Sequence, residues 1–135
     1  MDTMTTYWPN VKENVGDEDY DSFWEHEWTK HGTCTGLDQE IYFNTTIALA
    51  QFYGTPSQYT AVVGGEIYAD DLRKYMGGAA KASLQCADGE YISGAFSCWG
   101  KSEDGYSNGQ VTCASDVKAE DACTADMLVV QSFWE

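Results

Sequence analysis

Histidine is scarce in this sequence, with two in 135 residues. Positive charge is scarce as well: seven Lys and Arg stand against 22 Asp and Glu, for a formal net charge of −15. A protein that holds nucleic acid by neutralising phosphates is basic, so stable binding to long duplexes is excluded. Transient handling of RNA at one small cationic spot is not, above all at low pH, where carboxylates lose charge. Prolines number only two, and there are no internal repeats and no low-complexity linker. The chain therefore reads as a single domain over residues 1–135. No run approaches the roughly 20 apolar residues that a spanning helix requires, which argues against a membrane protein. Neither C-x-x-C pairs nor a Cys/His ligand spacing occurs, which argues against a structural zinc site.

What is present is enough for a core: 43% of residues are hydrophobic and 14% aromatic, against intrinsic disorder despite the charge. Five cysteines occur, Cys34, Cys86, Cys98, Cys113 and Cys123, the last four among Gly-rich turns. This is the pattern of a disulfide-bearing secreted domain, and Asn44-Thr45-Thr46 adds a glycosylation sequon at Asn44. The odd count implies a free thiol or a missing partner. The opening Met1-Asp2-Thr3-Met4-Thr5-Thr6 is polar and acidic, unlike a secretory leader, so a secreted chain would begin downstream of a removed segment.

Residues 11–20 read as an acidic approach loop. Asp21 or Ser22 can cap a helix over Phe23–His31, which Gly32 would end. A second helix is predicted from about Gln39 to Phe52, where Ile41, Phe43, Ile47, Ala48, Leu49 and Phe52 mostly recur at helical spacing. A short third one around Leu72–Met76 follows Asp70-Asp71 and closes at Gly77-Gly78, with charges that suit the helix dipole. Strands are predicted at Ala82–Ala87 and Glu90–Trp99, flanking the hairpin signal Asp88-Gly89. A turn at Asp104-Gly105 and Asn108-Gly109 precedes Gln110–Cys113, and a last strand covers Met127–Phe133. Helices first and antiparallel strands later make the class α+β, helices packed on a mainly antiparallel sheet.

Both histidines fall in Phe23-Trp24-Glu25-His26-Glu27-Trp28-Thr29-Lys30-His31-Gly32-Thr33-Cys34. At roughly 100° per residue, Lys30 lies about 40° from His26, Glu27 about 100° and His31 about 140°, while Trp24 and Trp28 fall near 160° and 200°. One face presents two imidazoles, a carboxylate and an ammonium, and the tryptophans can anchor the helix to the core. The plainest reading is a solvated face with two incidental histidines. A zinc protease is a second, since His26-Glu27 begins like H-E-x-x-H, but His31 is five residues on rather than four and Lys30 repels a dication. The third is a metal-free acid/base site for a phosphodiester. It needs one imidazole to take a proton, an imidazolium to give one, and cations for the charge on the phosphate oxygens.

At every defined position the segment resembles the second active-site motif of the ribonuclease T2 family, F-W-x-H-E-W-x-K-H-G-T-C. Tyr7-Trp8-Pro9-Asn10 resembles the family's lead-in and Tyr42-Phe43 the start of its next helix. Leu84-Gln85-Cys86 and Tyr91-Ile92-Ser93-Gly94 to Cys98 resemble the hairpin that follows. The resemblance implies a secreted or vacuolar (lysosomal-type) endoribonuclease that acts as a monomer on single-stranded RNA, with no cofactor, metal, membrane or DNA. The ribose 2′-hydroxyl would attack the adjacent phosphate to leave a 2′,3′-cyclic phosphate, which restricts the reaction to RNA. Carried over, His31 is one of the acid/base pair, His26 binds the phosphate, and Glu27 and Lys30 stabilise the transition state. Trp24 and Trp28 are assigned mainly to packing, with substrate stacking as the alternative. The same resemblance pairs Cys86 with Cys123 and Cys98 with Cys113, one of three pairings the sequence alone allows.

The family's upstream motif H-G-x-W-P, with its other catalytic histidine, is absent from this sequence, as is the cysteine that pairs with the H-G-T-C cysteine, leaving Cys34 unpaired. The expectation is a C-terminal two-thirds of such a domain, incomplete at its N-terminus, with strongly impaired activity and an exposed sheet edge where a strand is missing. The alternative is a non-catalytic secreted protein that keeps the scaffold to bind RNA or a partner.

Overall fold

The computed structural model describes residues 3–104 and 106–132. Its elements divide between two compact units. One comprises residues up to Gly54 with Lys101–Ser107, the other Thr55–Gly100 with the chain from Asn108 onward.

The first unit is helical and is held by aromatic rings. Helix α1 (Thr3–Tyr7) is followed by the acidic loop, and α2 (Ser22–Glu27) continues into a π turn at Trp28–Gly32 and a 3-10 turn at Thr33–Thr35. Helix α3 covers Gln39–Tyr53. The Trp8 ring lies 5.2 Å from Phe43 and 6.0 Å from Tyr42, and Trp28 lies 5.7 Å from Tyr42. Tyr20 meets Trp24 edge-on at 5.4 Å. The Trp24 Nε1–H donates to the Trp8 carbonyl at 2.8 Å, which gives a half-buried indole the acceptor it needs. Of the apolar residues expected on one face of α3, Phe43 and Ile47 are buried, whereas Ala48 and Phe52 are exposed.

Asp38 caps α3, its carboxylate accepting from the Glu40 N–H at 2.9 Å. Asp38→Ala removes that acceptor and is expected to cost about 1 kcal/mol of stability. A thermal or urea melt checks this, and Asp38→Asn or Asp38→Ser should restore most of the loss.

The predicted stop at Gly32 is corrected. Gly32 has right-handed angles (φ −79°, ψ −42°), and the helical path ends four residues later at Gly36, in the left-handed region with φ 70°. Gly32 is glycine for a different reason: a Cβ there would lie 2.2 Å from Cε3 of Trp28. It is a packing glycine, and Gly36 is the one that turns the chain.

The second unit is an α+β arrangement. In chain order it contains α4 (Ser57–Thr60), β1 (Gly65–Tyr68), α5 (Ala69–Tyr75), β2 (Ala82–Ala87), β3 (Tyr91–Ser97), α6 (Ser115–Ala119) and β6 (Met127–Val130). The strands pair in the order β1-β6-β3-β2, antiparallel except for a parallel contact of Tyr91 with Val129. Ile67, Leu72, Leu84, Leu128 and Val130 form the core against this sheet. The hairpin between β2 and β3 turns at Asp88 (φ 51°) and Gly89 (φ 79°), both left-handed, and the Glu90 N–H closes the turn on the Ala87 carbonyl at 3.2 Å.

The strands β4 (Trp99–Lys101) and β5 (Ser107–Gln110) form a separate two-stranded ribbon. Asn108-Gly109 thus lies within a strand rather than in the expected turn, and the strand expected over Gln110–Cys113 ends at Gln110, beyond which the Val111 N–H bonds to the Cys98 carbonyl and the Cys113 N–H to the Ala80 carbonyl. Gly105 and Phe133, assigned from the sequence to a turn and to the last strand, lie outside the described residues. Two disulfides form, Cys86–Cys123 and Cys98–Cys113, in the nested pairing that the resemblance implied, and Cys34 is free and exposed.

The outer edge of β2 is capped rather than bare. Leu84 donates its N–H to Asp121 Oδ2 at 3.2 Å and accepts from the Ala122 N–H at 2.9 Å. The Ala82 carbonyl accepts from Lys118 Nζ. Side chains and one backbone amide from α6 and the segment after it thus take bonds a further strand would make, which protects the edge from foreign pairing.

Candidate active site

Every residue of the histidine segment lies in the first unit, on α2 and the π and 3-10 turns that follow. His26, Lys30 and His31 are exposed, and Glu27 is half-buried. Trp24 and Trp28 sit in the aromatic cluster, with ring partners Tyr20 and Tyr42. Tyr42 is the ring that links this cluster to the carboxylate. Its phenol is pushed above the ordinary value, first by burial and then by the nearby charges of Glu27 and Cys34.

His26 and Glu27 open onto a cleft of about 400 Å³, lined also by Asn10, Lys12, Ser22 and Phe23 among others. Lys30 and His31 do not line it. They stand on the π turn that follows, so two of the four predicted polar residues line the cleft and the other two do not. The wall of the cleft is held by Asn10, which is buried. Its Nδ2 donates to the Tyr20 carbonyl at 3.1 Å, its N–H to the Tyr20 hydroxyl at 3.3 Å, and its Oδ1 accepts from the Lys12 N–H at 3.0 Å. This lock presents Lys12 to the cleft. Among the described residues the Lys12 ammonium carries no ion pair. Sequence reasoning missed Lys12, although a signal was available: it is the only lysine or arginine before Lys30 in an otherwise acidic stretch.

The path of the helix changes between the two histidines. The Trp28 N–H bonds to the Trp24 and Glu25 carbonyls, as in ordinary helix, but the Thr33 N–H reaches back five residues to Trp28. A turn closed by i→i+5 bonds holds more residues than an α-turn, so each residue advances by less than the roughly 100° assumed from the sequence. His31 therefore lies closer in angle to His26 than about 140°. The carbonyls of this turn are taken up by side chains that follow it. Thr33 Oγ1 donates to Thr29 at 3.0 Å, Cys34 Sγ to His31 at 3.2 Å and Thr35 Oγ1 to Gly32 at 2.5 Å. No group of three or more His, Cys, Asp or Glu suited to a metal ion occurs among the described residues.

An α+β scaffold with two imidazoles, a carboxylate and an ammonium on one short helical stretch defines a protein equipped for acid–base chemistry. The chain belongs to the ribonuclease T2 family, whose model matches residues 1–123. It is 58% identical over 106 residues to ribonuclease T2 of Aspergillus oryzae, covering 67% of this chain and 36% of the relative. It is 27% identical over 145 aligned positions to ribonuclease Rh of Rhizopus niveus, covering 93% of this chain and 56% of the relative. A third relative, intracellular ribonuclease LX of Solanum lycopersicum, is 43% identical over 47 residues, covering 35% of this chain and 19% of the relative. The chain thus spans about half or less of the length of these curated relatives. No solved structure matches.

Proposed function

We propose that the chain carries the second half of a T2-type endoribonuclease site and acts on single-stranded RNA by transfer of the phosphodiester to the ribose 2′-oxygen. The observation that carries this reading is the segment from Phe23 to Cys34, where His26, Glu27, Lys30 and His31 stand on one stretch of helix beside an open cleft. In the proposed step the 2′-hydroxyl attacks phosphorus and its proton passes to a base. The bond to the 5′-oxygen breaks, and that oxygen takes a proton from an acid. His31 is one member of the acid/base pair, and His26 holds the phosphate. Lys30 and Glu27 stabilise the transition state, Lys30 by offsetting charge on the phosphate oxygens and Glu27 by holding a protonated imidazole. Trp24 and Trp28 serve packing. Residues 1–135 form part of one family domain, glycosylated at Asn44, free of cofactor and metal, secreted or vacuolar and monomeric. Asn44 is exposed, which suits a glycan, although it lies within α3.

The test is cleavage of a single-stranded RNA oligonucleotide in excess chelator between pH 4 and 8, with the product ends identified. The expected result is a 2′,3′-cyclic phosphate end, no cleavage of the matching DNA, and a rate that falls toward pH 8. At a net charge of −15 the protein repels RNA, and the repulsion weakens as carboxylates protonate. Cleavage of the DNA, or a rate that climbs steadily to pH 8, counts against the proposal.

A second reading rests on the count of two histidines. T2-type chemistry as carried over uses a further histidine, so the chain by itself is expected to cleave about 10²–10⁴-fold more slowly than a site with both acid/base groups. A chain that binds single-stranded RNA without any cleavage would be a binding scaffold of the same family.

A further inference from the structure

We propose that the π turn at Trp28–Gly32 is a positioning device that brings the His31 imidazole round toward His26, so that one phosphate can meet both rings, with Gly32 and Thr33 as its positioning residues. The proposal rests on the assignment of the two histidines to one phosphate site.

Five residues separate His26 from His31. In a continuous α-helix that spacing sets side chains about 140° apart, too divergent for one ligand. The hydrogen-bond pattern changes between them, from the ordinary helical bond at Trp28 to the five-residue bond from Thr33 back to Trp28. Turns of this kind insert extra chain into a helix and recur at functional sites.

Two features make the turn a stable alternative to α-helix. Gly32 lies under the Trp28 indole, where any side chain would collide: its added Cβ would fall 2.2 Å from Cε3 and 2.8 Å from Cζ3. Trp28 is in turn fixed against Tyr42, so the indole has little freedom to retreat. Thr33 supplies the second feature. Its N–H bonds to the carbonyl five residues back, which would leave the Thr29 carbonyl without its usual helical donor. The Thr33 hydroxyl fills that place at 3.0 Å. Cys34 and Thr35 similarly satisfy the carbonyls of His31 and Gly32. The turn therefore keeps these bonds while changing the direction of its side chains. Since a misplacement of about 1 Å can cost roughly 10²-fold in rate, such a change in direction matters to any chemistry that His31 performs.

The test uses inorganic phosphate as the probe and follows the ring protons of both histidines by NMR. In the wild-type chain one phosphate titration should move both rings with a single shared affinity. Gly32→Ala should weaken that affinity about tenfold and leave His31 unresponsive, because a displaced turn no longer presents the ring. Adding Trp28→Phe to Gly32→Ala removes the atoms that collide and should recover the affinity to within about threefold. Thr33→Val keeps the shape but removes the hydroxyl, with an expected weakening of about two- to fivefold at the modest worth of one hydrogen bond. A melt on each variant separates loss of fold from loss of position. If Gly32→Ala fails to fold, Thr33→Val and the double variant carry the test.

The proposal is overturned if phosphate moves only one ring in the wild type, or if folded Gly32→Ala binds within twofold of wild type. It is also overturned if the double variant folds but does not recover binding. RNA cleavage is scored separately: a wild-type chain that binds phosphate through both rings yet never cleaves RNA retains the positioning role and loses the proposed enzymatic one.

Discussion

His31→Ala is expected to lower the rate of RNA cleavage by this chain about 10²–10⁴-fold, the usual cost of removing one acid/base group. The loss should appear chiefly in kcat, because His31 moves a proton in the transition state, with KM rising by no more than about tenfold for the His31 ring's share in holding the phosphate. His26→Ala should show the complementary pattern, with KM raised more than kcat is lowered. Both histidines are exposed, so neither truncation opens a cavity, and thermal stability should stay within about 0.5 kcal/mol of wild type. Single-turnover and steady-state assays on the same RNA oligonucleotide separate the two cases. A His31→Ala chain that cleaves within threefold of wild type would remove His31 from the acid/base pair. The cleavage would then have to be traced to other groups, with Lys12 in the cleft the nearest candidate.

The second large effect lies in the other unit and concerns stability. Asp121 is the hub of the β2 edge. It accepts from Arg73 Nε at 3.2 Å and Nη2 at 2.8 Å, from the Leu84 N–H at 3.2 Å and from the Cys123 N–H at 3.3 Å. The side chains of Arg73 and Asp121 are only 16% and 14% exposed, so this pair is largely withdrawn from water. Asp121→Ala leaves two backbone N–H groups without their acceptor and the Arg73 guanidinium with only Asp70 and the Cys123 carbonyl. The expected cost is about 3 kcal/mol, the lower end for a broken buried pair because some solvent reaches it. For a chain of this length that corresponds to a fall in Tm of about 10 °C. The outer pair of Arg73 with Asp70 should matter far less, since Asp70 is 97% exposed.

The same carboxylate gives stability a pH dependence of definite sign. Burial alone would raise the Asp121 pKa. The Arg73 hydrogen bonds, the Leu84 N–H, the Arg73 charge and the Cys123 N–H together outweigh it, so the carboxyl titrates below its ordinary value. In the unfolded chain it returns to about 3.9. The unfolded state therefore binds more protons between those two values, and stability rises with pH there. The contribution is complete above the unfolded pKa and is lost as pH falls through the folded one. Melts between pH 2 and 5 should show this slope in the wild type and a shallower one in Asp121→Asn. Equal slopes in the two proteins would mean that Asp121 contributes nothing to acid unfolding.

Much of the local structure was legible because it depends on neighbours in sequence. The left-handed demand of a two-residue turn is met by Asp88-Gly89, so strands β2 and β3 could be placed within a residue or two. The apolar spacing from Ile41 to Phe52 marked α3, and Asp70-Asp71 with Gly77-Gly78 marked α5. Where the reading failed, a competing contact decided. Asn108-Gly109 carries a strong turn signal but pairs in the ribbon, and β1 and α6 were too short and weakly patterned to stand out.

The sequence by itself determined the chemistry available to the site. His26, Glu27, Lys30 and His31 are close in the chain, so they fall on one short helical stretch, and their residue types offer imidazole, carboxylate and ammonium groups. Only the tertiary structure decided how they are aimed and what surrounds them. Gly32 is a helix stop by propensity and a packing glycine in fact, because the Trp28 indole, held by Tyr42 in α3, occupies the space where a side chain would stand. Lys12 reaches the cleft through the bonds of Asn10 to Tyr20, ten residues on. The β2 edge is closed by Asp121, 37 residues beyond Leu84 and 48 beyond Arg73. The physical reason is the same in each case. Periodicity and turn propensity report the torsions of adjacent residues, whereas close approach and charge pairing across the fold depend on which distant atoms compete for the same space.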